Sequence, residues 1–110
     1  MPAPPLTLVH GTLDLLVLRI LAAGAAHGYG IATLIHQQTV GTIAVEDAAL
    51  YQALHRLERQ GLVDAEWRQS ENNRRARYYE LTPRGRRHLR QEATNWRRYS
   101  QAVEAVLKGL

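Results

Sequence analysis

The side chains best equipped for chemistry in this chain are arginines placed next to amides and hydroxyl-bearing rings. Arg74, Arg75 and Arg77 follow directly on Asn72 and Asn73, and Tyr51, Gln52, His55, Arg56 and Arg59 recur at helical spacing. A guanidinium is planar and permanently charged, so it pairs bidentately with phosphate or with the edge of guanine, and glutamine can address adenine in the same way. Such a set suits contact with a polyanion rather than turnover of a small substrate. Catalytic alternatives find little to use. His10, His27, His36, His55 and His88 are scattered, with no i, i+4 pair of the kind that holds a metal on a helix. Glu46 and Asp47 are adjacent, so on a helix they point to different sides and read as residues favoured by the dipole. No glycine-rich loop follows a strand, and no serine sits in a nucleophile elbow. The absence of cysteine excludes disulfides, thiolate catalysis and cysteine-bound zinc. The expectation is a protein that is not an enzyme and uses no metal or cofactor.

The charge is divided along the chain. Met1 to Trp67 holds three arginines against six acids, whereas Arg68 to Arg98 holds ten arginines against three. A neutral-to-acidic half joined to an arginine-dense half attracts phosphates over a Debye length of ~8–10 Å. At 110 residues with 45% hydrophobic content, the chain suits one folded domain. Its densest apolar stretch, Leu15 to Leu18, ends at Arg19 and falls far short of the ~18 residues a membrane span needs. Met1-Pro2-Ala3-Pro4-Pro5 carries no positive charge ahead of its apolar residues, so it does not read as a signal peptide. A small cytoplasmic protein with no membrane partner is expected.

The elements that would position these residues follow from periodicity. Thr12 to Ala23 reads as a first helix, with Thr12 as N-cap and Asp14 in the first turn. Leu13, Leu16, Val17, Ile20 and Leu21 form one stripe, while Leu15 and Leu18 lie on another side and predict contact with a second subunit. Tyr29 to Thr39 is the second helix, and Glu46 to Gln60, stopped by Gly61, is the third. Leu50, Leu54 and Leu57 form the back of that third helix. The period then becomes two. Val63, Ala65 and Trp67 alternate with polar residues, with Trp67 expected in the core, and Arg77, Tyr79 and Leu81 form the return strand after the Ser70 to Asn73 turn. Thr82 and Pro83 start a final helix. Leu89, Ala93, Trp96, Ser100, Val103, Leu107 and Leu110 alternate at steps of four and three, the seam of a helix that pairs with another. A homodimer built on this helix is expected.

Three helices followed by a β-hairpin make a winged helix-turn-helix, mainly α with a small β-hairpin, plus a long C-terminal dimerisation helix. The DNA-binding part spans residues 1–81 and the dimerisation helix 82–110, as one compact unit. In this arrangement the third helix enters the major groove and the hairpin lies along the flanking backbone.

The fragments GTLDLLVLRIL at Gly11 to Leu21, HGYGI at His27 to Ile31, and LYQALHRLERQGLV at Leu50 to Val63 carry a specific resemblance. AEW at Ala65 to Trp67, RRARYYELTPRGRR at Arg74 to Arg87, and Trp96 extend it. The chain resembles the PadR family of transcriptional regulators, in its small subgroup with one C-terminal helix. The resemblance implies a homodimeric repressor on a palindromic double-stranded DNA operator, released by a small, aromatic effector. Tyr29 and Tyr51 would anchor on phosphates, Gln52 and His55 would approach bases, and Arg74, Arg75 and Arg77 would hold the flank. The first and last helices would form the dimer interface, and Trp96 would line an effector cavity. Ala49 and Gln52 stand where the family commonly has a hydroxyl residue and proline, which leaves operator preference open.

Competing roles accompany several of these residues. Tyr51 could cover the core edge, Arg77 could pair with Glu66 or Glu80 across the hairpin, and Trp96 could pack the dimer without touching a ligand. Arg84, Arg86, Arg87 and Arg90 are expected mainly to solvate the last helix. His27 is expected to make a local bond at its turn. The alternative function is a basic RNA-associated or protein-interaction module that dimerises without reading DNA.

Overall fold

The structure, a computed structural model, describes residues 11–110; the proline-rich start and His10 lie outside the described residues. Its elements run α1 (Thr12–Ala22), β1 (Ala26–His27), α2 (Gly28–Gln38), α3 (Asp47–Arg59), β2 (Val63–Gln69), β3 (Arg75–Leu81) and α4 (Pro83–Leu107).

Helix α1 is the hub, packed by α2, α3, β3 and α4. Leu13, Val17, Leu18, Ile20 and Leu21 are all buried within the chain, which explains a helix apolar on nearly every side. Leu18, expected at the subunit interface, is 1% exposed inside its own chain and is corrected to core. Leu15 remains half-buried. The N-cap is Gly11 in a left-handed conformation (φ 84°) rather than Thr12, which is already helical. Ile31 and Ile35 of α2 and Leu50, Ala53, Leu54 and Leu57 of α3 close the core around α1. Each leucine or isoleucine among them contributes about 1.5–3 kcal/mol when fully buried.

The turn between α2 and α3 is tied by Thr39, whose hydroxyl donates to the Ile35 carbonyl (2.8 Å) and accepts from the Ile43 N–H (3.1 Å). Val40 (φ 51°) and Gly41 (φ 76°) take the left-handed conformation that reverses the chain. Helix α3 ends in a Schellman motif. Gly61, left-handed at φ 73°, donates to the Glu58 carbonyl, and Leu62 N–H donates to the Leu57 carbonyl.

The sheet has the order β1-β3-β2, all antiparallel. Sequence periodicity misses β1, because two residues are too short to show alternation. Trp67 also departs from expectation, at 59% exposed rather than core. Val63, Tyr79 and Leu81 lie over the helices at the base of the hairpin, but Trp67 falls beyond the edge of the helical layer. Alternation identifies which face a residue occupies, not where the layer beneath that face ends.

Thr82 caps α4. Its hydroxyl accepts from the Gly85 N–H (3.0 Å) and donates to the Gly61 carbonyl (2.8 Å). A Cβ on Gly85 would stand 2.1 Å from the Leu62 carbonyl oxygen, so only glycine lets α4 sit this close to the end of α3. Leu89 packs on the core, whereas Trp96, Tyr99, Val103 and Leu107 are left open as α4 runs past the domain. The molecule is consequently elongated, with a radius of gyration of 15.3 Å, against ~13 Å for a compact domain of about this size. No described helix is long and apolar enough to cross a membrane.

Candidate nucleic-acid interface

Because Leu50, Ala53, Leu54 and Leu57 bury the back of α3, its other side presents Tyr51, Gln52, His55 and Arg59 to solvent. An open groove of about 910 Å³ separates this helix and the start of α2 from the hairpin. Tyr29, Tyr51, His55, Arg74, Arg75 and Arg77 all line it, although they come from three separate stretches of sequence. Gln52 and Arg59 are exposed on α3 outside the groove wall.

The start of α2 is organised by His27. Its Nδ1 accepts from the Gly30 N–H (3.0 Å), and its ring meets Tyr78 edge-on at 5.2 Å and stacks near Tyr29 at 6.4 Å. This is the local bond expected of it. Tyr29, 80% exposed, projects from that first turn. The Tyr51 ring lies across Gly28, with its hydroxyl 3.0 Å from where a Cβ would stand. Glycine at this position lets the phenol rest beside the N-terminal turn of α2, where free N–H groups and the positive dipole end favour anions.

The wing tip is closed by Asn73 N–H donating to the Ser70 carbonyl (2.9 Å), with Asn73 left-handed at φ 60°. The Asn73 side chain is held by the Gln69 amide, so this residue shapes the tip that presents Arg74 and Arg75. The Arg75 guanidinium lies 5.6 Å from the Trp67 ring centroid, which gives the exposed indole a role as a platform for a wing cation. Sequence reasoning assigns Trp67 to the core and misses this pair.

Three arginines are engaged with acids inside the chain. Arg56 donates to Asp14 of α1 (2.8 Å), and that hydrogen bond raises its already high pKa, so α3 is pinned to α1. Arg77 pairs with Glu58 of α3 (2.8 Å), not with Glu66 or Glu80. Strand parity explains the difference. Arg77 faces Trp67 across the hairpin, whereas Glu66 and Glu80 oppose Tyr78 and Asp64 on the other side. There Arg68 contacts both acids and lies 5.4 Å from the Tyr78 ring centroid. Burial keeps the Tyr79 phenol above its ordinary pKa, and Glu58 adds to the effect while Arg77 opposes it.

Trp96 stacks on Tyr99 (6.1 Å) and lines neither this groove nor the smaller one between α1, α3 and α4. Among the described residues, no cluster of three histidines or carboxylates could hold a metal ion.

A helix-turn-helix with an arginine-tipped β-hairpin beside its second helix belongs to the winged-helix class of DNA-binding proteins. The model of the transcriptional regulator PadR-like family matches residues 17–91. A transcriptional regulator from Clostridium thermocellum is 28% identical and superposes with a TM-score of 0.82, over 89% of this chain and 95% of its own. A PadR family transcriptional regulator from Eggerthella lenta is 32% identical at a TM-score of 0.76, over 91% of this chain and 85% of its own. An uncharacterized protein from Lysinibacillus sphaericus is 24% identical over 103 residues, 94% of each chain. The chain belongs to the PadR-like family of transcriptional regulators. It is thus a DNA-binding regulator and not an enzyme.

Proposed function

We propose that the protein is a homodimeric repressor that seats two α3 helices in a palindromic operator and lays Arg74 and Arg75 along the flanking backbone. The observation that carries this reading is the groove in which Tyr51 and His55 of α3 face Arg74 and Arg75 of the wing across open space. Gln52 and His55 approach base edges, Tyr29, Tyr51 and Arg59 hold phosphates, and Arg56 acts indirectly by fixing the tilt of α3. Arg77 reaches a phosphate only by leaving Glu58. Trp96, Val103 and Leu107, each more than a third exposed, form with Leu15 the apolar surface that the partner subunit covers. Leu89 and Ala93, half-buried, form the inner end of the same seam.

Replacing Arg74 and Arg75 by alanine tests the reading. Affinity for all duplexes falls, and the slope of log affinity against log salt flattens by about 0.9 for each phosphate no longer neutralised. Equal slopes for variant and parent would remove the wing from the interface. An effector of flat aromatic type would stack on the exposed Trp96–Tyr99 pair between the two α4 helices. In a Trp67→Phe background, ligand quenching should come from Trp96 alone; quenching that survives Trp96→Ala places the ligand elsewhere.

A further inference from the structure

Helix α4 carries a basic side that the operator-binding role does not use. Arg84, Arg86 and Arg87 occupy its opening turns, and Arg84 and Arg87 line the groove beside α1. Arg86, Arg90 and Arg97 share one side of the helix with Arg98 next to them, and all six are exposed. Among the described residues none of these six guanidinium groups has a hydrogen bond or an ion pair. The one acid in this stretch, Glu92, is half-buried and lines the groove beside Asp14 of α1.

The placement of these charges works against the helix itself. Helices α1 and α3 carry Asp14 and Asp47 in their first turns, as the dipole favours, whereas α4 has no acid there and three arginines nearby. Arg86 and Arg90 stand one turn apart, a like-charge spacing that costs a few tenths of a kcal/mol. A local electrostatic conflict with no internal compensation is characteristic of a surface shaped for a partner. From Arg86 to Arg98 the row runs for about 18 Å of helix, and duplex DNA offers one negative charge per ~1.7 Å of its axis.

The direction of the row separates it from the α3 groove. Helix α1 packs on both α3 and α4, and α4 reaches the core through Leu89 while His88, Gln91 and Glu92 line the groove it forms with α1. Arg90 and Arg97 stand about 100° round the helix from Leu89 and Trp96, and Arg98 further round; all three are exposed and none lines the α3 groove or the groove beside α1. We propose that this basic side of α4 is a second, sequence-independent DNA surface, which grips a duplex segment other than the one lying against α3. An anionic membrane fits less well. A helix lying in a lipid surface buries its apolar side, which would turn these arginines towards water. Arginine rather than lysine supplies the bidentate phosphate contact.

The test uses the full chain and two short duplexes of random sequence, one immobilised on beads and one fluorescent in solution. Protein bound to the first should retain the second at low salt. An Arg90→Gln/Arg97→Gln/Arg98→Gln chain should still bind the first duplex but lose most retention of the second. The salt dependence of that second step should be shallower by about 0.9 per arginine removed. Unchanged thermal melting and sedimentation confirm that the variant is folded and assembled as the parent is. Retention by the variant equal to that of the parent would overturn the proposal. So would capture of phosphatidylserine vesicles or polyglutamate as strong as capture of duplex. The Arg74→Ala/Arg75→Ala chain reports on the α3 groove separately, through its binding to the first duplex.

Discussion

Tyr51 shows how a single contact can aim a reading surface. Its ring rests on Gly28 at the start of α2, so the position of the phenol depends on a glycine twenty-odd residues away in sequence. Adding a methyl at Gly28 gains helix propensity, up to about 1 kcal/mol, but pushes the hydroxyl outward by a few tenths of an ångström. Gly28→Ala is therefore expected to melt no lower than the parent while binding duplex severalfold more weakly, a loss under about 1.4 kcal/mol. A fluorescence anisotropy titration checks this, and unchanged affinity would show that Tyr51 makes no phosphate contact. The outward-facing residues of α3 are legible in the sequence, because helical spacing alone separates Gln52 and His55 from Leu50, Leu54 and Leu57. The partner of Arg77 is not. Choosing Glu58 over Glu66 and Glu80 needs the hairpin register and the docking of the hairpin on α3, and neither is written in local periodicity.

The helix ends explain why these elements meet at fixed angles. Thr82 and Gly85 perform separate tasks, the first satisfying an N–H and a carbonyl, the second allowing α4 to touch the backbone of Leu62. Gly85→Ala has no low-cost rearrangement, because the obstructing atoms belong to the Leu62 carbonyl and to the Leu81 side chain at 2.8 Å. The variant should lose about 1–3 kcal/mol or more, seen as a lower urea midpoint at constant slope. An unchanged midpoint would mean that α4 docks differently. The Thr82-Pro83 start is visible in sequence as a cap followed by a residue suited to the first turn. Gly85 gives no such signal, since a glycine inside a helical pattern looks like a weakness until its neighbour is known. The left-handed cap at Gly11 and strand β1 escape notice for the related reason that each spans too few residues to carry a period.

At the scale of the whole molecule, the division of charge in the sequence becomes a division of surfaces. The arginine-dense half supplies the wing and α4, while the apolar half supplies the hub helix and the back of α3. That organisation is readable from composition and from the change of period from helix to hairpin. Two features are misjudged by sequence because they depend on where layers begin and end. Leu18 needs no partner subunit, since four elements already surround α1, and Trp67 finds no core, since the hairpin outruns the helices. The elongated shape and the uncovered end of α4 leave an apolar strip whose pairing would set two α3 helices at a fixed separation. Hydroxyl-radical footprinting on a fragment selected from genomic DNA measures that separation directly. Two protected patches on one side of the duplex, about one helical turn or ~34–36 Å apart and each flanked by a wing contact, are the predicted result. A single patch, or two with no regular helical spacing, would contradict a twofold reader built from α3 and the wing.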